Sequence, residues 1–197
     1  MMRSLILASQ SPRRLELLKK AGLKFSVITL KVSEIIDKNL TLEKAVTALA
    51  RQKIEAVLAT SRAQKASAAT VVGADTVVEL DGSILGKPKS KEEAIDYLAR
   101  LSGRVHRVVT GFAIFDSVTN SWVESSDTSK VKFCPLTKCE IEAYVATGSP
   151  MDKAGAYGIQ DAGGNFISSV EGAVDNVMGL PVYKILKVFD ENGWKFN

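Results

Sequence analysis

The feature that most restricts the fold is a long β-branched strand followed at once by a hairpin turn. Thr70–Leu80 is rich in valine and threonine, and an Asp-Gly pair at 81–82 favours a tight turn into another short strand. A second hairpin is predicted where Val105–Ser117 and Trp122–Phe133 flank a polar turn at 119–121. Two hairpins require antiparallel strand pairs, which excludes a purely parallel sheet.

Helices are predicted between and after these strands. A short buried strand at Leu5–Ala8 precedes a helix near Arg13–Ala21, and a strand at Phe25–Leu30 precedes a helical pattern from about Leu42 to Arg62. Capping boxes predict two more helices, which begin after Ser90 and Thr137, and a last helix starts at Pro181. We therefore predict a mixed-sheet α/β protein with helices on both faces, arranged in two lobes of one domain over residues 1–197.

Composition supports an ordinary globular protein in a reducing compartment. Of the 197 residues, 46% are hydrophobic and 24% charged, and the formal net charge is +4. The only two cysteines, Cys134 and Cys139, are expected to be free thiols. The apolar run near the N-terminus is too short for a secretory segment, and no stretch approaches the length of a membrane span. These features predict a soluble, cytoplasmic protein.

The first segment that indicates chemistry is Ser9–Arg14. Ser11 suits an N-cap and Pro12 the first helical position, which places Arg13 and Arg14 in the first turn. Positive charge is unfavourable at a helix N-terminus, and a bound anion would remove the conflict. Backbone N–H groups, two serine hydroxyls and two guanidinium groups could then form a phosphate cradle. The alternative is a solvated basic turn.

Asp75 is the second candidate, because it interrupts an apolar strand. A carboxylate at such a position is costly unless it is paired, hydrogen-bonded or bound to a metal. It suits an acid that holds Mg²⁺ or accepts a proton from water, and the alternative is an aspartate that satisfies backbone groups at a strand end or bulge. Lys53 and Lys87 could supply compact charges for phosphate oxygens, although either alone is more typical of a surface.

The glycine-rich segment from Asp152 to Gly164 is the third candidate. Its glycines permit a close backbone approach, and Tyr157 and Gln160 could contact a ring and its polar edge; a flexible surface loop is the alternative. His106, the only histidine, lies in a predicted strand, where a packed or a surface role is expected in preference to catalysis, so no serine- or cysteine-based triad is predicted. The available groups suit metal-assisted attack of water on phosphorus.

Seven segments, in this order, resemble the Maf family of nucleotide pyrophosphatases. The resemblance extends over essentially the whole chain and rests on the following stretches: Leu7–Arg14, Gly73–Thr76, Gly86–Pro88, Leu101–Arg104, Val109–Gly111, Asp152–Gln160 and Asn176–Pro181.

The resemblance implies a fold, cofactors and residue roles. The fold would be an elongated mixed-sheet α/β structure related to the inosine triphosphate pyrophosphatases, with two lobes around a cleft. A divalent metal, Mg²⁺ or Mn²⁺, and a homodimer are also implied. Asp75 would be the proton acceptor and, with Glu34, would hold metal. The remaining implied roles are phosphate contact by Lys53 and Lys87, and recognition of the nucleobase by Arg13, Thr76 and Gln160.

The segment around Tyr157 and Gln160 is similar to the family branch that hydrolyses dTTP and UTP, with modified pyrimidine triphosphates as additional substrates. The alternatives are a 7-methyl-GTP pyrophosphatase and a non-catalytic regulator of cell division that binds nucleotides or nucleic acid. The chain lacks the aromatic platforms and dense basic stripe of single-strand binders. It departs from the family at Ser149, where glutamate is common, at Asp161, where glycine is common, and in the context of Glu34, which lacks the usual aspartates.

Overall fold

The chain forms a mixed α/β structure. A computed structural model describes residues 2–32, 37, 39–60 and 68–196. Its strands are β1 Met2–Leu7, β2 Ser26–Val27, β3 Ala69–Leu80, β4 Ser83–Leu85, β5 Val105–Asp116, β6 Ser121–Phe133, β7 Ile167–Glu171 and β8 Lys195–Phe196. Its helices are α1 Pro12–Lys20, α2 Leu42–Leu58, α3 Lys91–Leu101, α4 Lys138–Ala146, α5 Val174–Val177 and α6 Val182–Glu191. Three 3₁₀ helices follow α4, at Ser149–Asp152, Ala154–Ala156 and Ala162–Phe166.

The strands form an eight-stranded mixed sheet. Its main order is β2-β1-β3-β5-β6-β7, while β4 pairs with β3 and β8 pairs with β1. β1 is parallel to β2, β3 and β8, whereas β4 is antiparallel to β3 and β7 is antiparallel to β6. The predicted mixed α/β fold is thus confirmed.

The chain divides into two compact units. Unit 1 comprises Met1–Asp75, Thr110–Asp127 and Gly179–Asn197, and unit 2 comprises Thr76–Val109 and Thr128–Met178. The boundaries fall within β3, β5 and β6, so each of these strands contributes residues to both units. The prediction of one domain over residues 1–197, and of a cleft between two lobes, stays a prediction.

Unit 1 packs helices on both faces of its strands, as predicted. On one face, Ile54 and other apolar residues of α2 pack against Ile6 and Val71. The opposite face carries Arg3, whose guanidinium lies 5.9 Å from the ring centroid of Trp194, and Trp194 in turn contacts Phe189 of α6. The sheet in this unit is therefore covered on both sides, which explains its nearly continuous apolar strands.

Unit 2 has its own core, built from α3, α4 and strand residues. Leu98 and Leu101 of α3, Tyr144 of α4 and Phe133 of β6 belong to one buried cluster. Phe166 packs edge-on against Phe133 and Tyr144, with ring centroids 6.1 and 5.2 Å apart. These contacts bring the end of the glycine-rich segment, in which Phe166 lies, into the hydrophobic core.

The predicted hairpin turn and one of the two predicted capping boxes agree with the structure. Both residues of the turn at 81–82 have positive φ, and the capping box at Thr137 is complete. Ser90 also caps its helix by accepting from the N–H of Glu93, but the Glu93 carboxylate accepts from the N–H of Lys89. The reciprocal bond of the predicted second box is therefore displaced by one residue.

Two predictions of extent were wrong. The strand expected at Phe25–Leu30 is only Ser26–Val27, and α2 ends at Leu58, before the predicted end near Arg62. In both cases the composition allowed a longer element than the hydrogen bonds support. The predicted glycine-rich loop contains three short 3₁₀ helices.

Candidate functional site

Asp75 forms an ion pair with Lys53 inside unit 1. Nζ of Lys53 lies 2.5 Å from Oδ1 of Asp75 and 3.5 Å from the carbonyl oxygen of Ala74. Only 12% of the Asp75 side chain and 13% of the Lys53 side chain are exposed. Asp75 lies within β3, away from the ends of the strand, and its carboxylate is paired with a lysine. An ionised pair in such a poorly solvated place is costly to assemble and is more typical of a functional site than of a stabilising contact.

Close packing of α2 on the sheet brings Lys53 to Asp75. A Cβ built on Gly73 would lie 2.5 Å from the carbonyl oxygen of Ala50 and 2.9 Å from Cγ1 of Ile54. Because side chains alternate along a strand, Gly73 and Asp75 lie on the same face of β3. Glycine at 73 therefore lets the helix approach closely enough for a lysine one turn further on to reach the carboxylate.

The Ser9–Arg14 segment forms a compact turn at the start of α1. The hydroxyl of Ser9 accepts from the N–H of Ser11 and from Nη1 of Arg14, both at 3.2 Å. Nε of Arg14 donates to the carbonyl oxygen of Gly179 at 2.7 Å, and Arg14 is buried while Arg13 is partly buried. Arg14 thus holds the turn to the segment that precedes α6.

Ser11 occupies the predicted N-cap position of α1 without acting as a side-chain cap. Its hydroxyl makes no capping hydrogen bond, Pro12 is at the first helical position, and no acidic residue lies in the first turn. The helix start therefore places Arg13 and Arg14 at the positive end of the helix dipole without a side-chain cap from Ser11, which is the charge conflict that the sequence predicted. This arrangement is electrostatically suited to an anion.

Unit 2 contains three of the predicted site residues. Thr76 follows Asp75 directly in β3 and is partly buried, whereas Lys87 and Gln160 are exposed. The loop that carries Lys87 is attached to the glycine-rich segment, because the N–H of Gly155 donates to the carbonyl oxygen of Gly86 at 3.0 Å. Glu34, the second predicted metal ligand, lies outside the described residues.

The sequence interpretation missed a polar cluster around Asp161 in unit 2. The Asp161 carboxylate accepts from Tyr144, Ser149 and the N–H of Gly163, and it lies 3.3 Å from Nζ of Lys153. Ser149 and Asp161 each depart from the family pattern, but they are twelve residues apart and the sequence does not indicate that they are bonded to each other. Only the folding of the 3₁₀ segments brings them together.

The donor set fits a divalent metal that is bound partly through its substrate. Within the described ranges, no group of three or more His, Cys, Asp and Glu residues could hold a metal ion by itself. Mg²⁺ usually binds one or two protein carboxylates together with substrate phosphates and water, and not a closed protein cage. Asp75 supplies one such carboxylate.

These features define a class: an α/β protein with a paired, poorly solvated carboxylate and an anion-compatible basic helix start in the same compact unit. The comparison with known families is more specific. The family model described as Maf-like protein matches residues 4–192, and the chain belongs to this family.

Several curated relatives have sequences similar to this chain along most of their length. A protein named dTTP/UTP pyrophosphatase from Bdellovibrio bacteriovorus is 45% identical over 179 residues, covering 91% of this chain and 93% of that protein. One of the same name from Bacillus velezensis is 45% identical and covers 97% of both chains. A solved nucleoside-triphosphatase (dITP/XTP pyrophosphatase) from Mycobacterium abscessus aligns with a TM-score of 0.34 and 12% identity, over 66% of this chain and 72% of that one.

Proposed function

We propose that the chain is an enzyme that hydrolyses dTTP and UTP to the nucleoside monophosphate and pyrophosphate. The observation that carries the proposal is the Asp75–Lys53 ion pair, which places a carboxylate and an ammonium 2.5 Å apart in a poorly solvated part of the sheet. Relatives about 45% identical over more than 90% of the chain bear the name of this activity. Family membership and the residues present thus favour the same reaction.

In the proposed reaction, a water molecule attacks the α-phosphorus of the nucleotide. A bond forms between the water oxygen and phosphorus, the bond from phosphorus to the oxygen bridging to the β-phosphate breaks, and pyrophosphate leaves. The proton released by the water passes to Asp75. Because Lys53 holds Oδ1, we assign the proton to Oδ2. Lys53 fixes the direction of the carboxylate and adds positive charge close to the reacting phosphate.

Phosphate binding is assigned to the turn formed by Ser9, Ser11, Arg13 and Arg14. The N-terminus of α1 carries the positive end of the helix dipole and has no side-chain cap from Ser11, and the two arginines add charge on the same turn. Arg14 is buried and bonded to Ser9, so its part is to shape the turn, whereas Arg13 contacts the substrate. Lys87 is proposed as a further phosphate contact, and Thr76 and Gln160 as the residues that recognise the pyrimidine.

A divalent cation, Mg²⁺ or Mn²⁺, is proposed as cofactor, with Asp75 and Glu34 as the protein carboxylates that hold it. When bound, such an ion would offset the negative charge of the phosphate oxygens. The family resemblance and the carboxylate at Asp75 support this assignment. Removal of the ion with a chelator should therefore abolish turnover, and addition of Mg²⁺ or Mn²⁺ should restore it.

A cytoplasmic location and a homodimer complete the proposal. Cys134 and Cys139 are both free thiols, which is usual for proteins of a reducing compartment. Among the helices of the described residues, none has the length and apolar character needed to cross a bilayer. Light scattering coupled to size-exclusion chromatography would test the dimer directly.

The deciding experiment measures pyrophosphate release from dTTP, UTP, CTP, GTP and 7-methyl-GTP with Mg²⁺ or Mn²⁺. We expect selective turnover of dTTP and UTP, and a loss of about 100-fold or more in kcat for Asp75→Asn, because a positioned general base contributes on the order of 10²–10⁴. Asp96→Asn, which removes an exposed carboxylate on α3, is the matched control and should behave as wild type.

Each other outcome would change the proposal. Preferential turnover of 7-methyl-GTP would reassign the substrate but keep the reaction. Tight nucleotide binding without turnover would indicate a non-catalytic regulator. Near-wild-type turnover by Asp75→Asn would remove Asp75 from the role of proton acceptor.

A further inference from the structure

The polar cluster around Asp161 is the strongest feature that the proposed reaction does not use. It comprises Asp161, Tyr144, Ser149 and Lys153, all within unit 2. Each carboxylate oxygen has two partners. Oδ1 accepts from the Tyr144 hydroxyl and from the N–H of Gly163, both at 2.8 Å, while Oδ2 accepts from the Ser149 hydroxyl at 2.6 Å and lies 3.3 Å from Nζ of Lys153.

The cluster holds the backbone on both sides of Gln160. The Tyr144 hydroxyl donates to Asp161 and also accepts from the N–H of Gly158 at 3.2 Å, while Asp161 itself caps the next 3₁₀ helix through Gly163. Two residues before Gln160 and three residues after it, the main chain is therefore bonded to the same tyrosine–aspartate pair. A segment held at both ends in this way has little freedom to change its direction.

The glycines of this segment are fitted closely around the cluster. A Cβ on Gly158 would lie 2.7 Å from Oδ2 of Asp161 and 2.7 Å from Cε of Lys153, and a Cβ on Gly163 would lie 2.7 Å from the Tyr144 hydroxyl. Because real Cβ atoms do not approach other atoms so closely, an alanine at either position would have to displace side chains of the cluster. The close backbone packing makes the position of the whole turn depend on the cluster.

The charges in the cluster are internally balanced. Burial raises the pKa of Asp161, but hydrogen bonds from Ser149 and Tyr144 outweigh that effect and leave the pKa below its ordinary value. The carboxylate is therefore ionised at neutral pH. The Lys153 ammonium is only 12% exposed and donates to the carbonyl oxygen of Ser149 at 2.6 Å and to Asp152 at 2.7 Å, so it faces the cluster and not the solvent.

We infer that Asp161, together with Tyr144, is a positioning element for Gln160 and thereby sets the selectivity for the nucleobase. The inference rests on the proposed function, in which Gln160 recognises the pyrimidine. Asp161 and Tyr144 do not contact the substrate; they act by fixing the turn that presents Gln160. Ser149 and Asp161, two of the three departures of this sequence from the family pattern, form one hydrogen-bonded pair that completes this element.

The test compares UTP with CTP, which have the same ring size and differ in the hydrogen-bonding edge. For Asp161→Asn we expect KM for UTP to rise about tenfold, since charge-assisted hydrogen bonds are lost. The change in kcat should stay below about threefold, because Asp75 and Lys53 are untouched, and the preference for UTP over CTP should fall. Asp152→Asn is the matched control, since it removes another carboxylate bonded to Lys153 whose side chain is 60% exposed.

A second pair of variants keeps the test valid if Asp161→Asn does not fold. Tyr144→Phe preserves the ring in the core and removes only the hydroxyl that bridges Asp161 and Gly158. Tyr97→Phe, which removes a hydroxyl bonded to Glu93 on α3, is its control. We expect the same change in the UTP to CTP preference for Tyr144→Phe and none for Tyr97→Phe.

The outcomes separate this inference from the proposed function. A lower melting temperature with an unchanged KM and an unchanged preference would mean that the cluster is only structural, and would overturn the inference. A wild-type protein that hydrolyses neither dTTP nor UTP would overturn the proposed function, and this inference with it. Wild-type selectivity that survives in both variants would overturn the inference alone.

Discussion

At the scale of single residues, Asp75 shows that a carboxylate whose burial is energetically unfavourable can mark a functional site. A carboxylate that is 12% exposed within a strand depends on its partner, and here the partner is one lysine at 2.5 Å. Such a pair contributes little net stability compared with apolar residues, but the loss of one partner leaves an uncompensated charge. The pair therefore has different effects on stability and on activity, and these can be measured separately.

Lys53→Met is expected to lower both stability and activity. The free energy of unfolding should fall by about 1–3 kcal/mol because Asp75 would remain buried without its cation. The kcat/KM for UTP should fall by about 30-fold or more through the loss of a positioned charge near the phosphates. Urea unfolding and steady-state kinetics would measure the two effects.

Two controls test whether the effects of Lys53→Met come from the loss of its ion pair with Asp75 and not from the loss of any lysine of α2. Lys44→Met, at an exposed site on the same helix, should change neither quantity. In the double variant Lys53→Met with Asp75→Asn, most of the stability should return while activity stays lost. Equal stability of the single and double variants would show that the buried charge is not the cause.

At the scale of elements, the contact of α2 with the sheet determines the geometry around Asp75. Gly73 and Gly111 lie on neighbouring strands, and a Cβ on Gly111 would lie 2.5 Å from the carbonyl carbon of Val46 and 2.7 Å from Cα of Thr47. The backbone of α2 thus lies close to the backbone of both strands at these two glycines. A single methyl group at either position would displace the helix that carries Lys53.

Gly73→Ala is expected to destabilise the protein by about 1–3 kcal/mol, the usual cost of overpacking a filled interior. It should also reduce kcat, because the displaced helix would move Lys53 away from Asp75. Thermal and urea unfolding would measure the first effect. Gly86→Ala is the control for stability, since a Cβ there would meet no atom within 4 Å; equal losses in the two variants would contradict the packing argument.

The sequence predicted those turns and helix ends that are determined by interactions between residues close together in the chain. Turns at positive φ, such as Asp81 and Asn120, and the side-chain caps at Ser90 and Thr137 depend on neighbouring residues and were predicted. β7, by contrast, has mixed polarity and is a strand because it pairs with β6, which no local pattern reveals.

The same distinction holds for the candidate site. Asp75 and Lys53 were predicted as separate residues, from the cost of a buried carboxylate and from the family resemblance, but their direct bond depends on the packing of α2. The cluster around Asp161 was missed because its residues are distant in sequence. They become hydrogen-bonded only when the 3₁₀ turns bring Ser149 and Asp161 together. Tertiary contacts, and not composition, determine such polar clusters.

At the scale of the whole molecule, stability depends on two cores that respond differently to pH. Unit 1 contains the buried Arg3–Asp116 pair, in which Asp116 also accepts from Thr70. Burial raises the pKa of Asp116, but the hydrogen bond from Arg3 and others outweigh it and lower the pKa below its ordinary value of 3.8. This carboxylate stays ionised, and its contribution is retained, until the pH falls below 3.8.

Unit 2 contains His106, the only histidine of the chain, which titrates in a different range. Its Nε2 lies 2.8 Å from the Tyr157 hydroxyl, and its ring packs edge-on against Phe133 with centroids 5.0 Å apart. Burial lowers the pKa of His106 from 6.5 to about 4. Between these values the unfolded chain binds a proton that the folded protein excludes, so the stabilising contribution is complete above pH 6.5 and is lost as the pH falls toward 4.

We therefore expect the free energy of unfolding to fall by about 2 kcal/mol between pH 7.5 and pH 5, at about 1.4 kcal/mol for each pH unit below the unfolded pKa. His106→Gln stays neutral and can still bond to Tyr157, so its stability should be lower at pH 7.5 but nearly constant over this range. Urea unfolding of both proteins at the two pH values measures the difference. Because Asp116 and Asp161 have lowered pKa values, they do not contribute in this window, and an equal loss in the variant would show that His106 is not the group responsible.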